Sequence, residues 1–568
     1  IPGYRQLAEA VHAEGGTILA QLSHSAATLA ISDAGRPLWA PSPVQSELAR
    51  ETPREMTAAD IREVVESFGK AAARVRAGGL DGAELLAAFG FLIGAFFSPL
   101  TNRRRDAYGG SLENRLRFAH EVIEATRESL GAGLILGIRI SGDEMAEGGL
   151  GPADMREIAV RLTATGRLDY VNVIAGTNYA RLGRMVHWGP TPSPHGLFVP
   201  LAAGIKEVVK VPVFTAGRIT DPAMAESILR EGKADMIGMT RAHIADPEIG
   251  RKLAGNRPLS IRPCVGANVC ISLSGAALRC FHNPEVGRET AWAPLAAAAE
   301  PRKVAVVGGG PAGLEAARVA AERGHRVTLY DAEAALGGRL RLWALSPLTR
   351  ELGKAVSWRL EELERLQVRI ERGRPLTEAD VVRLDAEAIV LATGSRPMGE
   401  PAQLASPGPI VIATPEDILR NPPRGIRRAV LWDNSSGREG LAAAEVLASL
   451  GTKVAVVTNE FTVGESIDPV VRTVIYQHLL GHGAEFRPNE RLLALEGQAV
   501  RLVNLYSGAE SRIDGVELLI SWQGRLPRND LAEAAERSGA RVIVVGDAVA
   551  PRSVTQAVAE GALAARSI

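Results

Sequence analysis

The stretch KVAVVGGGPAGLEAARVAAERGHRVTLYD, residues 303–331, leaves the chain little conformational choice. An apolar run of strand length meets Gly308, Gly310 and Gly313 in the spacing GxGxxG, and a helical pattern and a second strand ending on Asp331 follow. The first glycine permits a tight turn, the second lets a pyrophosphate approach the backbone, and the third lets helix and strand pack closely. The helix N-terminus then faces the phosphates, and the acid can accept from ribose hydroxyls. The order strand, glycine turn, helix, strand, acid predicts a nucleotide-binding unit. The layout returns at 427–458 in damaged form, as WDNSSGREG, with Asp433 aligned to the first glycine and Ser435 to the second. An acid where phosphate should sit is electrostatically unfavourable, which weighs against NAD(P)H there. A last strand and helix at 542–565 predict that the second unit is inserted into the first.

Upstream, short apolar runs alternate with amphipathic helical patterns. The runs are TILAQL (17–22), DGAELLA (81–87), LILGIRI (134–140), YVNVIAG (170–176), VPVFTAG (211–217) and ADMIGMT (234–240). Alternation of this kind implies parallel strands, and with no glycine fingerprint among them a (β/α)8 TIM barrel is the expected fold. Six units are visible, so two are expected upstream of residue 1. The resulting class is α/β, a barrel followed by Rossmann-like domains. The expected bounds are 1–260 for the barrel and 261–300 for a cysteine segment and linker. The first nucleotide domain takes 301–424 with 516–568, and the insert takes 425–515.

Composition excludes several functions. Lys plus Arg equals Asp plus Glu, 65 each, which argues against a nucleic-acid binder. No apolar run reaches membrane-helix length; LLAAFGFLIGAFFSPL, 85–100, is broken by Gly90, Gly94 and Pro99 and reads as a buried strand plus loop. The three cysteines are clustered, unlike a secreted disulfide scaffold, and no signal peptide precedes them. A cytoplasmic location is the expectation, although the chain starts without Met.

Gly337-Gly338-Arg339, LATG (391–394) and VGDAVAPR (545–552) accompany the intact fingerprint, and together they look like an FAD-type disulfide-reductase fold. That resemblance implies FAD, or a bare ADP moiety, held by Gly308, Gly310, Gly313, Asp331, Gly338, Arg339 and Asp547. In the barrel, QLSH, ETPREMT, SPLTNRRRDAYGGSLENR, GIRISGDE, AGRITDP and GMTRAHIADP occur in that order. They resemble the old yellow enzyme family of FMN barrels, and the whole chain resembles its large branch of dienoyl-CoA reductases and amine or N-methyl dehydrogenases. The resemblance implies FMN contacts at Gln21, Arg139, Gly217, Arg218, Thr240 and Arg241. Arginines at barrel strand ends suit the phosphate and the negative charge of a reduced flavin. SPLTNRRRDAYGGSLENR reads as a structural ion-pair network.

The departures are informative. Where reductases of this family carry their substrate-anchoring and proton-donating side chains, this chain has Leu86, Phe89 and Phe91, and none can donate a proton. Asn178 replaces a further histidine. Tyr179, Asn178, His24 and His187 remain as weak catalytic candidates, and Phe89, Phe91, Tyr179 and Trp188 offer an aromatic surface for a cation. Two readings follow. One is an amine or N-methyl dehydrogenase, with hydride passing to FMN and electrons leaving through a cluster to a carrier protein. The other is an NAD(P)H-fed enoyl or dienoyl reductase. A decayed, non-catalytic scaffold is a third. A small-molecule substrate is common to the first two, and relatives suggest a homo-oligomer.

The family's cluster pattern would make Cys264, Cys270 and Cys280 the first, third and fourth ligands, with Ala267 in the second place. A 3Fe-4S cluster on three thiolates, a 4Fe-4S cluster with a non-cysteine ligand, and an empty site in which the cysteines pack all stay open.

Overall fold

The computed structural model describes residues 1–28, 35, 37–49, 51–272, 277–292, 294–399 and 408–568, so residue 293 of the predicted linker lies outside the description. Contacts divide the chain into two compact units, 1–189 with 193–240, and 190–192 with 241–568.

In the first unit, six strands pair in chain order and in parallel: β1 (Leu19–Leu22), β2 (Gly82–Ala87), β3 (Ile135–Ser141), β4 (Tyr170–Ile174), β5 (Val213–Thr215) and β6 (Met236–Ile237). They coincide with the six apolar runs. Helices cross between them, which is the winding of a (β/α)8 barrel. Ala58–Ala77 starts with a capping box, in which Thr57 accepts from the Asp60 amide and the Asp60 carboxylate accepts in return. Ile61, Val64, Phe68 and Ala72 on this helix share one core with Leu116, Phe118 and Val122 on Leu112–Leu130.

The tail of the 85–100 run differs from expectation. Leu92–Phe97 is a buried helix, not a loop. Asn102 Nδ2 reaches the carbonyls of Phe96 and Tyr108, and Thr101 Oγ1 reaches that of Ala95, so the helix end is satisfied without solvent. The arginine-rich segment that follows is structural, with carbonyls as important as carboxylates. Buried Arg104 donates to Asp106 and to the carbonyls of Pro41 and Met56.

The second unit holds two parallel sheets. The first runs Arg369–Glu371, Arg326–Tyr330, Lys303–Val307, Ala388–Leu391, Arg541–Val544. The second runs Val411–Ala413, Leu518–Trp522, Arg428–Asp433, Lys453–Val457, Glu485–Arg487, with a three-stranded antiparallel meander beyond it. Ser395–Pro397 and Arg525–Pro527 pair antiparallel, forming a two-strand stem between the folds. In chain order the strands of the second sheet, from Val411 to Trp522, fall between Ala388–Leu391 and Arg541–Val544 of the first. Residues 241–260 pack with the second unit, where Asp246 accepts from the Arg262 amide and from Lys252, and the Ser260 carbonyl accepts from Trp358 Nε1.

Glu315 is fully buried between Arg318 and Arg359. Arg359 also donates to the His282 carbonyl at 2.8 Å, tying the segment after Cys280 to helix Lys354–Arg365. No helix among the described residues is long and apolar enough to cross a membrane.

Gly137 on β3 shows how tightly the barrel interior is filled: a Cβ there would overlap the Tyr170 ring. Gly137→Ala should therefore lower stability by about 1–3 kcal/mol, the usual cost of overpacking, read as a fall in the denaturant midpoint.

Candidate active site and nucleotide sites

Inside the barrel unit, side chains from β1 to β4 converge on one carboxylate. Glu84, 7% exposed, accepts from Gln21 Nε2 at 2.6 Å, Tyr170 Oη at 3.0 Å and Asn172 Nδ2 at 2.8 Å. Arg139 Nε lies 3.3 Å from it. Strand register sets this up, since Gln21 is opposite Glu84, and Arg139 is opposite Asn172. Burial, and then the Glu84 charge, push the Tyr170 phenol up, so it stays a donor. Arg139 Nε and Asn172 Oδ1 are buried with no hydrogen-bond partner. Two of the predicted flavin contacts, Gln21 and Arg139, are thus brought together on a residue that sequence reasoning missed. The signal was a lone acid inside the apolar run of β2.

Gly217 and Arg218 follow β5. Arg218 is buried, has φ +53°, and donates through Nη1 to the Ser193 carbonyl at 2.7 Å. Its carbonyl faces His195 Nδ1 at 2.9 Å. Thr240 closes the first unit. Arg241 belongs to the second unit, where it donates to Asn268 Oδ1 at 2.7 Å.

The loops after β2 and β4 build an apolar wall. Leu86, Phe89, Ile174, Ala175 and Phe198 form one buried cluster, with Phe91 and Val186 against it. Phe89 stacks on His187 with rings 10° apart, and His187 packs on Trp188 with ring centroids 4.7 Å apart. Phe89 has φ +64°, a strained conformation for a bulky residue. It is held by its amide donating to Ser141 Oγ at 3.2 Å and its carbonyl accepting from the Asn178 amide at 2.9 Å. Tyr179 packs on the other side, with Ala27 and Ala40, and its hydroxyl is buried with no hydrogen-bond partner. Burial, and then Glu144, push that phenol up. His24 is held neutral by burial, and its Nδ1 accepts from the Ala26 amide at 3.1 Å.

The first nucleotide fold opens on a cavity of about 510 Å³ lined by Gly308, Gly310, Asp331, Gly338, Arg339, Thr393 and Asp547. Every residue expected to hold an adenine nucleotide lines it, except Gly313. A Cβ at Gly313 would overlap the Gly308 carbonyl, so its role is close packing of helix and strand. A Cβ at Gly310 would meet nothing within 4 Å, which leaves the helix N-terminus open to a phosphate. At the far end Arg339 pairs with Asp547 and, at 2.6 Å, with Glu439 of the inserted fold. Arg525 pairs with Glu416 and donates to Ser395 Oγ at 2.7 Å.

The damaged fingerprint begins on a buried acid. Asp433 is 1% exposed, and burial raises its pKa to about 6. Among the described residues, Cys264, Cys270 and Cys280 do not converge, with one another or with His, Asp or Glu, into a set able to hold a metal ion. They are nonetheless neighbours: the Cys270 thiol is pushed up to about 11 by burial and then by Cys264, with Cys280 adding to the effect. Ala267 is half-buried against the core of the nucleotide fold.

Glu84→Ala would leave Arg139, Tyr170 and Asn172 without their shared acceptor. It should cost about 3–5 kcal/mol in chemical denaturation, as for other broken buried pairs.

Residues 1–260 match the model of the NADH:flavin oxidoreductase / NADH oxidase family, and residues 302–556 match pyridine nucleotide-disulphide oxidoreductases. The chain is 39% identical over 466 residues to a probable N-methylproline demethylase of Rhizobium meliloti (strain 1021), covering 81% of this chain and 68% of that protein. It is 37% identical over 536 residues to an N,N-dimethylglycine/sarcosine dehydrogenase of Chromohalobacter salexigens, covering 90% and 76%. Among solved structures, histamine dehydrogenase from Rhizobium sp. 4-9 superposes with a TM-score of 0.92 at 30% identity, over 100% of this chain and 86% of that one. An FMN-type barrel joined to a pyridine-nucleotide-type module, with relatives of this closeness along most of its length, makes the chain a flavin oxidoreductase of the NADH:flavin oxidoreductase / NADH oxidase family.

Proposed function

We propose that the chain oxidises an N-methylated amine by hydride transfer to FMN. The observation that carries this is the wall formed by Leu86, Phe89 and Phe91. It stands where double-bond reductases of this family place their proton donor, and it has none to give. The remaining phenol, Tyr179, has its oxygen sealed in a separate cluster. Removal of hydride from an amine carbon needs no such donor. The carbon–hydrogen bond breaks with both electrons, the amine nitrogen becomes an iminium, and water adds to it to release formaldehyde and the demethylated amine. Phe89, Phe91 and Trp188 are suited to hold the cationic nitrogen by cation–π attraction and to exclude water before the transfer. The demethylase and dehydrogenase named among the relatives support the same substrate class.

The residues present fit FMN. Asn172 Oδ1 is a buried acceptor without a hydrogen-bond partner, Arg139 Nε makes no hydrogen bond although it is ion-paired with Glu84, and Gln21 and Arg139 are pre-positioned by Glu84. When bound, FMN supplies the two-electron acceptor. Gln21 and Arg139 would hold its pyrimidine edge, and Gly217, Arg218 and Thr240 its phosphate. The cavity at Gly308 and Gly310 fits ADP, alone or as part of FAD, with Asp331 toward the ribose and Arg339 and Asp547 toward the pyrophosphate and beyond.

The cysteine segment does not fit a four-thiolate cluster, because Ala267 stands in the second position. A three-iron cluster is the most that Cys264, Cys270 and Cys280 could carry, and it would need these neighbouring thiols to draw closer together than they lie here; we assign a small electron-carrier protein as the acceptor of the oxidised amine's electrons.

Two measurements check this. Anaerobic addition of dimethylglycine or N-methylproline should bleach the flavin band while NADPH leaves it unchanged; bleaching by NADPH and by no amine would overturn the proposal. Ala267→Cys, which restores a fourth thiolate, should raise iron from at most three to four per chain, with acid-labile sulfide staying at or below four.

A further inference from the structure

The second nucleotide fold is less damaged than its sequence suggests. In the intact fold the strand ends at Val307 and Gly310 is the N-cap of helix Pro311–Glu322. In the inserted fold the strand ends at Asp433 and Gly437 is the N-cap of helix Arg438–Ser449. The two N-caps share one extended backbone conformation, with φ −77°, ψ −179° and φ −100°, ψ −177°. Gly440 then lies three residues into its helix, as Gly313 does. A Cβ on Gly440 would sit 3.3 Å from Trp522 and 3.5 Å from the Asp433 carboxyl carbon, so strand and helix approach closely here too. The second and third glycines are therefore present, behind a longer turn, and Ser435 does not occupy the second position.

What separates the two folds is Asp433. Its Oδ1 accepts from the Ser435 amide at 3.0 Å, the Ser436 amide at 2.9 Å and Ser435 Oγ at 3.2 Å. These amides lie in the turn that leads into the helix, where an open fingerprint receives phosphate oxygens. Ser436, with φ +52°, turns its amide toward the carboxylate. The other oxygen, Oδ2, is buried with no hydrogen-bond partner, so the carboxylate is held by the amides of the turn. In the first fold the corresponding residue is Gly308, and the space over Gly310 is open.

We infer that Asp433 is a built-in anion occupying the phosphate cradle of the inserted fold, and that this one side chain closes the fold to dinucleotides. It excludes a pyrophosphate twice, by volume and by like charge. The glycines behind it are those of a working site, so Asp433 is the residue that sets which nucleotide sites of the chain are open. The inference does not depend on the amine substrate.

The test uses the full chain with saturating ADP in the first site and ADP-ribose as the probe, titrated at pH 8 by calorimetry. ADP-ribose carries the pyrophosphate without the nicotinamide, so it does not report on the barrel flavin. The wild type should show no second site tighter than about 1 mM. Asp433→Gly should gain a site at least about tenfold tighter, and Asp433→Asn, which removes the charge but keeps the volume, a smaller gain. A wild-type second site in the micromolar range would overturn the inference. So would an Asp433→Gly protein with unchanged melting temperature and ADP content that gains nothing. Should the glycine variant fail to fold, the asparagine variant decides, since absence of any gain there removes the electrostatic half of the argument.

Discussion

A carboxylate inside a barrel has to be answered, and much of the first unit follows from how Glu84 is answered. Burying an ionised acid is costly unless hydrogen-bond donors and charge surround it. Here the donors come from neighbouring strands: Gln21 on β1, Arg139 on β3, Tyr170 and Asn172 on β4. Tyr170 is itself fixed by neighbours. Tyr170 lies over Gly137 and stacks on Phe214, with centroids 4.3 Å apart. A shift of register by one residue would turn these side chains to the other face and strand the charge. The acid thus specifies strand alignment and, by the same contacts, fixes where Gln21 and Arg139 sit.

The second unit uses charge differently. Arg339 bridges Asp547 of the first nucleotide fold and Glu439 of the inserted one, while Arg525 of the stem reaches Glu416 and Glu439. Arg339, Asp547, Arg525 and Glu416 line the same cavity as Gly308 and Gly310. Removing either arginine would leave buried acids uncompensated, so the geometry of the nucleotide pocket and the seating of the insert share one set of interactions.

The six barrel strands and the intact fingerprint are legible because periodicity and glycine spacing are local signals. So is the replacement of the proton donors, since Leu86, Phe89 and Phe91 can be read directly. What sequence hides is set by tertiary neighbours. Glu84 looks like an exposed acid until strand order brings four partners to it. The extent of the insert is masked because Val411–Ala413 pairs with Leu518–Trp522, which in turn pairs with Arg428–Asp433, and neither pairing is local in sequence. The boundary near 240 depends on Asp246 and Lys252, whose partners Ser260 and Arg262 lie further along the chain. The true glycine register at Gly437 and Gly440 is obscured by two extra residues of turn, which an ungapped comparison cannot absorb. The separation of Tyr179 from the Phe89 wall rests on which side of Gly90 its ring falls.

The edge strand Arg541–Val544 completes the first nucleotide sheet by pairing with Ala388–Leu391, some 150 residues earlier in the chain. The described strands between them belong to the stem, the inserted sheet and its meander. During synthesis at about 5–20 residues per second, the first fold therefore waits on the order of ten seconds or more with one edge of its sheet unpaired. The inserted fold, whose own strands are all made by Trp522, can close first and hold the two ends of the stem together. In a chain built this way, the insert acts as an intramolecular clamp that keeps an incomplete sheet from finding the wrong partner.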